Sequence, residues 1–233
     1  TPLYSSAASD VYKRQAGRVW LASPAMAAPP PSAVIRDLDA ATGHHPLDRK
    51  LLVCRSMGEG RELLRALSVR GTSWLGWEAT TPRSLALDLA GDRLAADGRA
   101  VADVFAEEAA LDVALDEALA SAPPGLRELG ETPGFRQAVA GAVGALRLAG
   151  IDDARLRRSP SSNPAVRDLL SGTLVAYQVR LAAHRLVDTA DVLTAAAARL
   201  EDADAAGFDP HHVFIAPGVS LRGASGRVVR ALL

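Results

Sequence analysis

The residues with the most chemical promise lie between positions 51 and 64. Leu51-Leu-Val-Cys54 reads as a buried strand, Gly58 and Gly60 punctuate a turn, and Leu63, Leu64 and Leu67 then share one helical face. A strand, a glycine turn and a helix together aim backbone N–H groups at a phosphate. The P-loop pattern G-x-x-x-x-G-K-[ST], laid on Gly60, puts Arg55, Arg61 and Glu62 where glycine, lysine and a hydroxyl belong. Arg61 keeps a positive charge. Glu62 brings a carboxylate to the place of a magnesium-binding hydroxyl and would repel the phosphates. The segment reads as the shell of a nucleotide site without its chemistry, so ATP and magnesium are not expected as cofactors.

Other side chains invite weaker chemical readings. Thr81 precedes Pro82 and Arg83 at a helix start, where N–H groups and an arginine can meet a nucleic-acid phosphate; a plain helix cap is the simpler role for Thr81. Asp188 and Asp191 are a pair of carboxylates, but their spacing is that of a helix N-cap and its capping-box partner, so no catalysis is assigned to them. Arg155, Arg157 and Arg158 form the sharpest basic cluster, followed by Arg167, Arg180 and Arg185 and partly offset by Asp152, Asp153 and Asp168. His44-His45 and His211-His212 lack cysteine partners and the H-E-x-x-H spacing, so no metal site is assigned. Gly141-Ala-Val-Gly144 lies in an Ala-rich helical stretch and is read as helix packing.

Composition narrows the class. The chain has 233 residues, 48% hydrophobic but only 4% aromatic, which favours a helix-rich α/β protein over a β-sandwich. Lys+Arg 26 against Asp+Glu 27 gives a net charge of −1, so any nucleic-acid contact would come from a local patch. The single cysteine, Cys54, excludes an internal disulfide, and a cytoplasmic location is expected. The apolar piece near Val19 is broken by Ser23 and Pro24, too short for a secretory signal, and no apolar run is long enough to span a membrane. Residues 5–15 look like translated sequencing adaptor, so residues 1–15 are set aside.

The elements that would position these residues follow in order. Residues 16–47 read as an irregular lead-in with one short amphipathic piece at 33–38. Strands are expected at 50–54, 74–79 and 212–216, and a last helix begins at 225. Threonine or asparagine before proline at Thr81, Thr132 and Asn163 marks three helix starts, and helices are expected at 101–120, 133–148, 164–186 and 188–200. The ending on an uncapped apolar face looks truncated. Helical crossovers between strands imply a doubly wound parallel sheet carrying an all-helical insertion.

Several phrases resemble the N-terminal half of AddB/RecB-type helicase–nucleases, relatives of UvrD-like superfamily 1 helicases, over roughly residues 48–233. Residues 51–64 sit where that family has its Walker A segment, and Thr80-Thr-Pro-Arg-Ser-Leu-Ala86 looks like the next helicase motif. Tyr177, followed by Leu186-Val-Asp-Thr-Ala-Asp-Val-Leu193 with Asp188 and Asp191, is similar to the phrase closing the helical 1B subdomain. Val213-Phe-Ile-Ala-Pro-Gly218 occupies the Walker B position, with Ala216-Pro217 where Asp-Glu should hold magnesium.

The resemblance implies an α/β, P-loop NTPase-like parallel sheet with a large all-helical 1B-type insertion: 48–98 as the first part of subdomain 1A, 99–205 as 1B, and 206–233 as 1A continued. It further implies a lapsed ATPase acting as a DNA-binding scaffold. Thr81, Arg83, Arg155, Arg157 and Arg158 would be its DNA contacts. The whole protein would be a PD-(D/E)XK exonuclease (a hydrolase) in double-strand break repair, working with a helicase–nuclease partner subunit and away from membranes. The alternatives are an active P-loop NTPase or helicase with unusual motifs, and a helical protein-interaction module.

Overall fold

Helix dominates because the apolar content is largely Ala and Leu, strong helix formers, with few β-branched or aromatic residues to build long strands. The computed structural model describes residues 18–21, 31–201 and 212–233. In order these form β1 (Arg18–Leu21), α1 (Pro31–His44), β2 (Lys50–Val53), α2 (Met57–Val69), β3 (Trp77–Thr80), α3 (Pro82–Ala96), β4 (Ala100–Val101), α4 (Val104–Ala120), α5 (Pro124–Gly130), α6 (Pro133–Ala149), α7 (Asp153–Arg158), α8 (Pro164–Ala183), β5 (Leu186–Val187), α9 (Thr189–Glu201), β6 (His212–Ile215) and α10 (Gly223–Ala231).

The fold is not the P-loop-type parallel sheet with a helical insertion that the sequence suggests; it is mostly helical with small parallel sheets. Among the described residues the strands make a four-stranded parallel sheet, β1-β6-β2-β3, and a parallel pair, β4-β5. The large sheet of a P-loop helicase core is absent from them. The strands are four residues long in the first sheet and two in the second, and the sequence around them favours helix. The expectation named three of the six strands described, missing β1, β4 and β5, and overstated how much of the chain a sheet organises.

The chain divides into two compact units. One comprises residues 1–89, 196–221 and 225–233; the other comprises Ala90–Ala195 and Arg222–Ala224, against a helical span read from the sequence as 99–205. The first unit holds the four-stranded sheet. All four residues of β2 and of β6 are buried, the polar Lys50 and His212 that open them included, as in a sheet covered on both faces. In α1, Val34, Ile35, Leu38 and Ala41 fall on one stripe and are buried. This helix extends the short amphipathic piece expected at 33–38, and β1 is a strand within the stretch read as irregular, while residues 16–17 and 22–30 lie outside the described residues. Pro31 stands at the first helical position, where its missing N–H costs nothing, and Gly43 lies in the last turn. β3 also begins later than expected, at Trp77, because Gly76 adopts a left-handed φ of 80° and leaves Trp74 and Leu75 exposed.

The second unit is built on α4 and α8, whose shared core contains Ala114, Leu115, Leu119, Leu169, Leu174, Tyr177 and Leu181, joined by Val139 and Val143 of α6. Gly172 lets the two long helices approach: a Cβ there would lie 3.4 Å from the Ala118 methyl. Of the three expected caps, Thr81 and Asn163 accept from the backbone N–H of Ser84 (3.1 Å) and Val166 (3.2 Å). Thr132 does not: its hydroxyl turns back to donate to the Leu129 carbonyl at 2.7 Å. The sequence passed over the two-residue strands β4 and β5. Ala100 N–H donates to Arg185 O and Ala102 N–H to Val187 O, both at 2.9 Å. No described helix is long and apolar enough to cross a membrane.

Candidate functional site

The segment read as a degenerate nucleotide loop is placed differently from expectation. Gly58 and Gly60 lie inside α2, not in the turn before it. The turn is made by Cys54, Arg55 and Ser56, and Ser56 caps the helix by accepting from the Glu59 N–H at 3.1 Å. Glu59, in the first helical turn, folds back: its carboxylate accepts from the Arg55 N–H at 3.0 Å and from the Arg55 guanidinium at 3.1 and 3.3 Å. A carboxylate of the chain's own, held by Arg55 just before the Ser56 cap, therefore lies beside the helix N-terminus where a phosphate would sit. Gly60 is glycine for packing, since a Cβ would come within 2.7 Å of the Ala79 Cβ on β3. Arg61 is exposed, and Glu62 is tied to Arg65 at 2.7 Å, which holds its carboxyl below the usual range.

Ala216 and Pro217 follow β6 at the same edge of the sheet, where the Ala216 N–H donates to Val53 O at 2.8 Å. Neither side chain offers an oxygen for a metal. Gly218, with φ of 86°, lies against Arg55: a Cβ there would be 3.1 Å from Arg55 Cδ. The carboxyl ends of β2 and β6 thus converge on the internally neutralised Arg55–Glu59 pair. Cys54 is buried beside it, and burial, then the Glu59 charge, pushes its thiol up to about 12. The folded protein is accordingly expected to leave Cys54 unreacted toward a thiol reagent at pH 8 while the denatured chain reacts fully. A fast stoichiometric reaction in the native state would show the packing around β2 to be open.

The proposed DNA contacts fall into two places, one in each unit. Thr81 is committed to capping α3, and Arg83 in the first turn of that helix is exposed. Arg155, Arg157 and Arg158 are all exposed on the short helix α7, which Asp152 caps through the Arg155 N–H at 2.7 Å. Arg157 pairs with Asp153 at 2.7 Å, and Ser171 donates to the same carboxylate. The Arg155 and Arg158 guanidinium groups make no ion pair among the described residues. Of the arginines further along, Arg167 pairs with Asp168 and Arg180 with Glu117.

Asp188 and Asp191 form the expected reciprocal cap of α9: the Asp191 N–H donates to Asp188 at 2.9 Å and the Asp188 N–H to Asp191 at 3.4 Å. The sequence missed their third partner. Arg147, from the last turn of α6, donates to both oxygens of Asp188 at 2.8 and 2.9 Å and reaches Asp191 at 2.7 Å. These carboxylates are fully engaged in structure. Tyr177 lies within this charged neighbourhood and is almost fully buried; burial, then the Asp188 charge, pushes its phenol up.

A second missed cluster lies at the opposite, amino-terminal edge of the sheet. His45 Nδ1 and His212 Nε2 each lie 3.1 Å from the same oxygen of Asp48, and the two imidazoles stack with centroids 3.8 Å apart. Lys50, almost fully buried, donates to the carbonyls of His45 and Asp48 at 2.5 and 2.7 Å, fixing the loop that carries both. Burial lowers the Lys50 ammonium and the His212 imidazole below their ordinary values, while Asp48 pulls each back up. The sequence named His45 and His212 but not Asp48. Only the register pairing Lys50 with His212 brings the two histidines together. His44 is exposed, and His211 lies outside the described residues. No protein-family profile and no curated protein matches the chain.

Proposed function

We propose that this chain is a non-catalytic, DNA-contacting scaffold portion of an AddB-like PD-(D/E)XK nuclease, acting in the cytoplasm in double-strand break repair with a helicase–nuclease partner subunit. The observation that carries the non-catalytic part is the Glu59 carboxylate paired with Arg55 beside the N-terminus of α2, with Ala216 and Pro217 nearby offering no metal ligand. The DNA part rests on the exposed arginines of α7, two of them without an acidic partner among the described residues, in a chain whose net charge is close to neutral. Exposed guanidinium groups on one short helix neutralise phosphates without reading bases, which suits a strand-guiding role. The family part rests on the phrase from Tyr177 to Leu193.

Fluorescence anisotropy with a labelled duplex end and a labelled single strand, across a salt series, tests this. Binding is expected at low salt, and the triple variant R155A/R157A/R158A is expected to flatten the salt slope by about 2–3 while far-UV circular dichroism stays unchanged. Equal binding by the variant, or none by the wild type at low salt, would remove the DNA role. The second reading is a helical protein-interaction module, favoured by Phe105 at 77% and Val179 at 61% exposure on α4 and α8. Under that reading the salt series shows no DNA binding.

A further inference from the structure

The imidazole–carboxylate cluster at the amino-terminal sheet edge does not take part in the proposed DNA role. We propose that His45, Asp48 and His212 bind one divalent transition-metal ion of the zinc class. The three donor atoms, His45 Nδ1, His212 Nε2 and Asp48 Oδ2, all lie within 4.8 Å of one another. Each nitrogen is 3.1 Å from the oxygen. Ligands about 2.0–2.2 Å from a common metal in a tetrahedral or octahedral shell stand about 2.9–3.5 Å apart, so both N···O separations already match one edge of such a shell. The stacked rings must open slightly to admit the ion between them.

The backbone holds the donors in place before any ion arrives. His212 opens β6, and its N–H donates to Arg49 O at 3.3 Å. Lys50, the register partner of His212, clamps the carbonyls of His45 and Asp48. Gly76 closes the loop from the other side: a Cβ there would lie 2.4 Å from the Asp48 carbonyl oxygen. Little ordering remains to be done on binding.

The donor set also selects the ion. Two neutral imidazoles and one carboxylate suit zinc, cobalt or nickel, which take nitrogen donors well. Magnesium and calcium call for several oxygen ligands, and here they would find one carboxylate. Three protein ligands leave a fourth position for water.

The test uses the full, untagged chain stripped of metal. Zinc is titrated against a chromophoric chelator, and cobalt is followed by its visible absorption. One equivalent is expected to bind, with His45→Ala and Asp48→Ala each weakening affinity at least about tenfold. Exposed His44→Ala is expected to leave binding unchanged, and magnesium is expected not to compete. Since His212 is buried at a strand start, the half-exposed His45 is the primary probe, with circular dichroism confirming its fold. Absent stoichiometric zinc binding, zinc retained by both the His45 and Asp48 variants, loss with His44→Ala alone, or competition by magnesium would each overturn the site.

Discussion

Arg147→Ala is expected to destabilise the helical unit by about 3–5 kcal/mol, the usual effect of removing one partner from a buried ion pair. Arg147 is 13% exposed at its side chain and Asp188 only 8%, so both are largely out of water. Truncation would leave the Asp188 and Asp191 carboxylates side by side, each still bound to a helix-end N–H but without the cation between them. It would also detach the end of α6 from the start of α9. Chemical denaturation followed by circular dichroism measures the loss as a lower midpoint with an unchanged slope. A loss below about 1 kcal/mol would mean that water reaches the triad and screens it, as at an exposed pair. Arg147→Lys is expected to recover only part of the loss, because an ammonium cannot make the paired contacts to both oxygens of Asp188.

Gly60→Ala is expected to cost about 1–3 kcal/mol, although alanine is the better helix former. The added methyl would lie 2.7 Å from the Ala79 Cβ and 3.3 Å from Cys54 Sγ, with backbone behind both, so α2 must lift off β3. Gly58, two residues earlier in the same helix, is the control. Its nearest neighbour would be the Ser56 hydroxyl at 3.8 Å, and Gly58→Ala is expected to be neutral or to gain up to about 1 kcal/mol. The opposite signs separate two readings of these glycines. A phosphate loop would need both for close approach of a ligand; a helix packed on a strand needs only Gly60. Thermal melts of the two variants decide between them, and equal losses at both positions would favour the loop.

The contrast shows what the sequence made legible. Periodicity located the long helices α4, α6, α8 and α9 and the apolar strands β2 and β6, because each is written in contiguous residues. It failed where the decisive neighbour is distant. Gly58 and Gly60 looked like a turn because nothing local shows that Ala79 presses on one of them. Arg147 is 41 residues from Asp188, and His212 is 164 from Asp48, so neither cluster has a spacing that a motif can express. Phase misled as well. Glu62 drew attention through the P-loop pattern, while Glu59, three residues before it, is the carboxylate that reaches the helix N-terminus. The scale of the sheet was overestimated for a related reason: crossover order is readable from the alternation of elements, but strand length depends on edge partners and flanking turns.

The shortest strands among the described residues have a consequence for modularity. β4 and β5 place Ala100 beside Leu186 and Val101 beside Val187, so everything between them is an excursion whose departure and return are held side by side by a few backbone hydrogen bonds. Such a segment behaves like a cartridge. Helices within it other than α6, whose Arg147 ties it to the start of α9, can be lengthened, trimmed or exchanged, the arginine-bearing α7 with them, while the point where the chain comes back stays where it was.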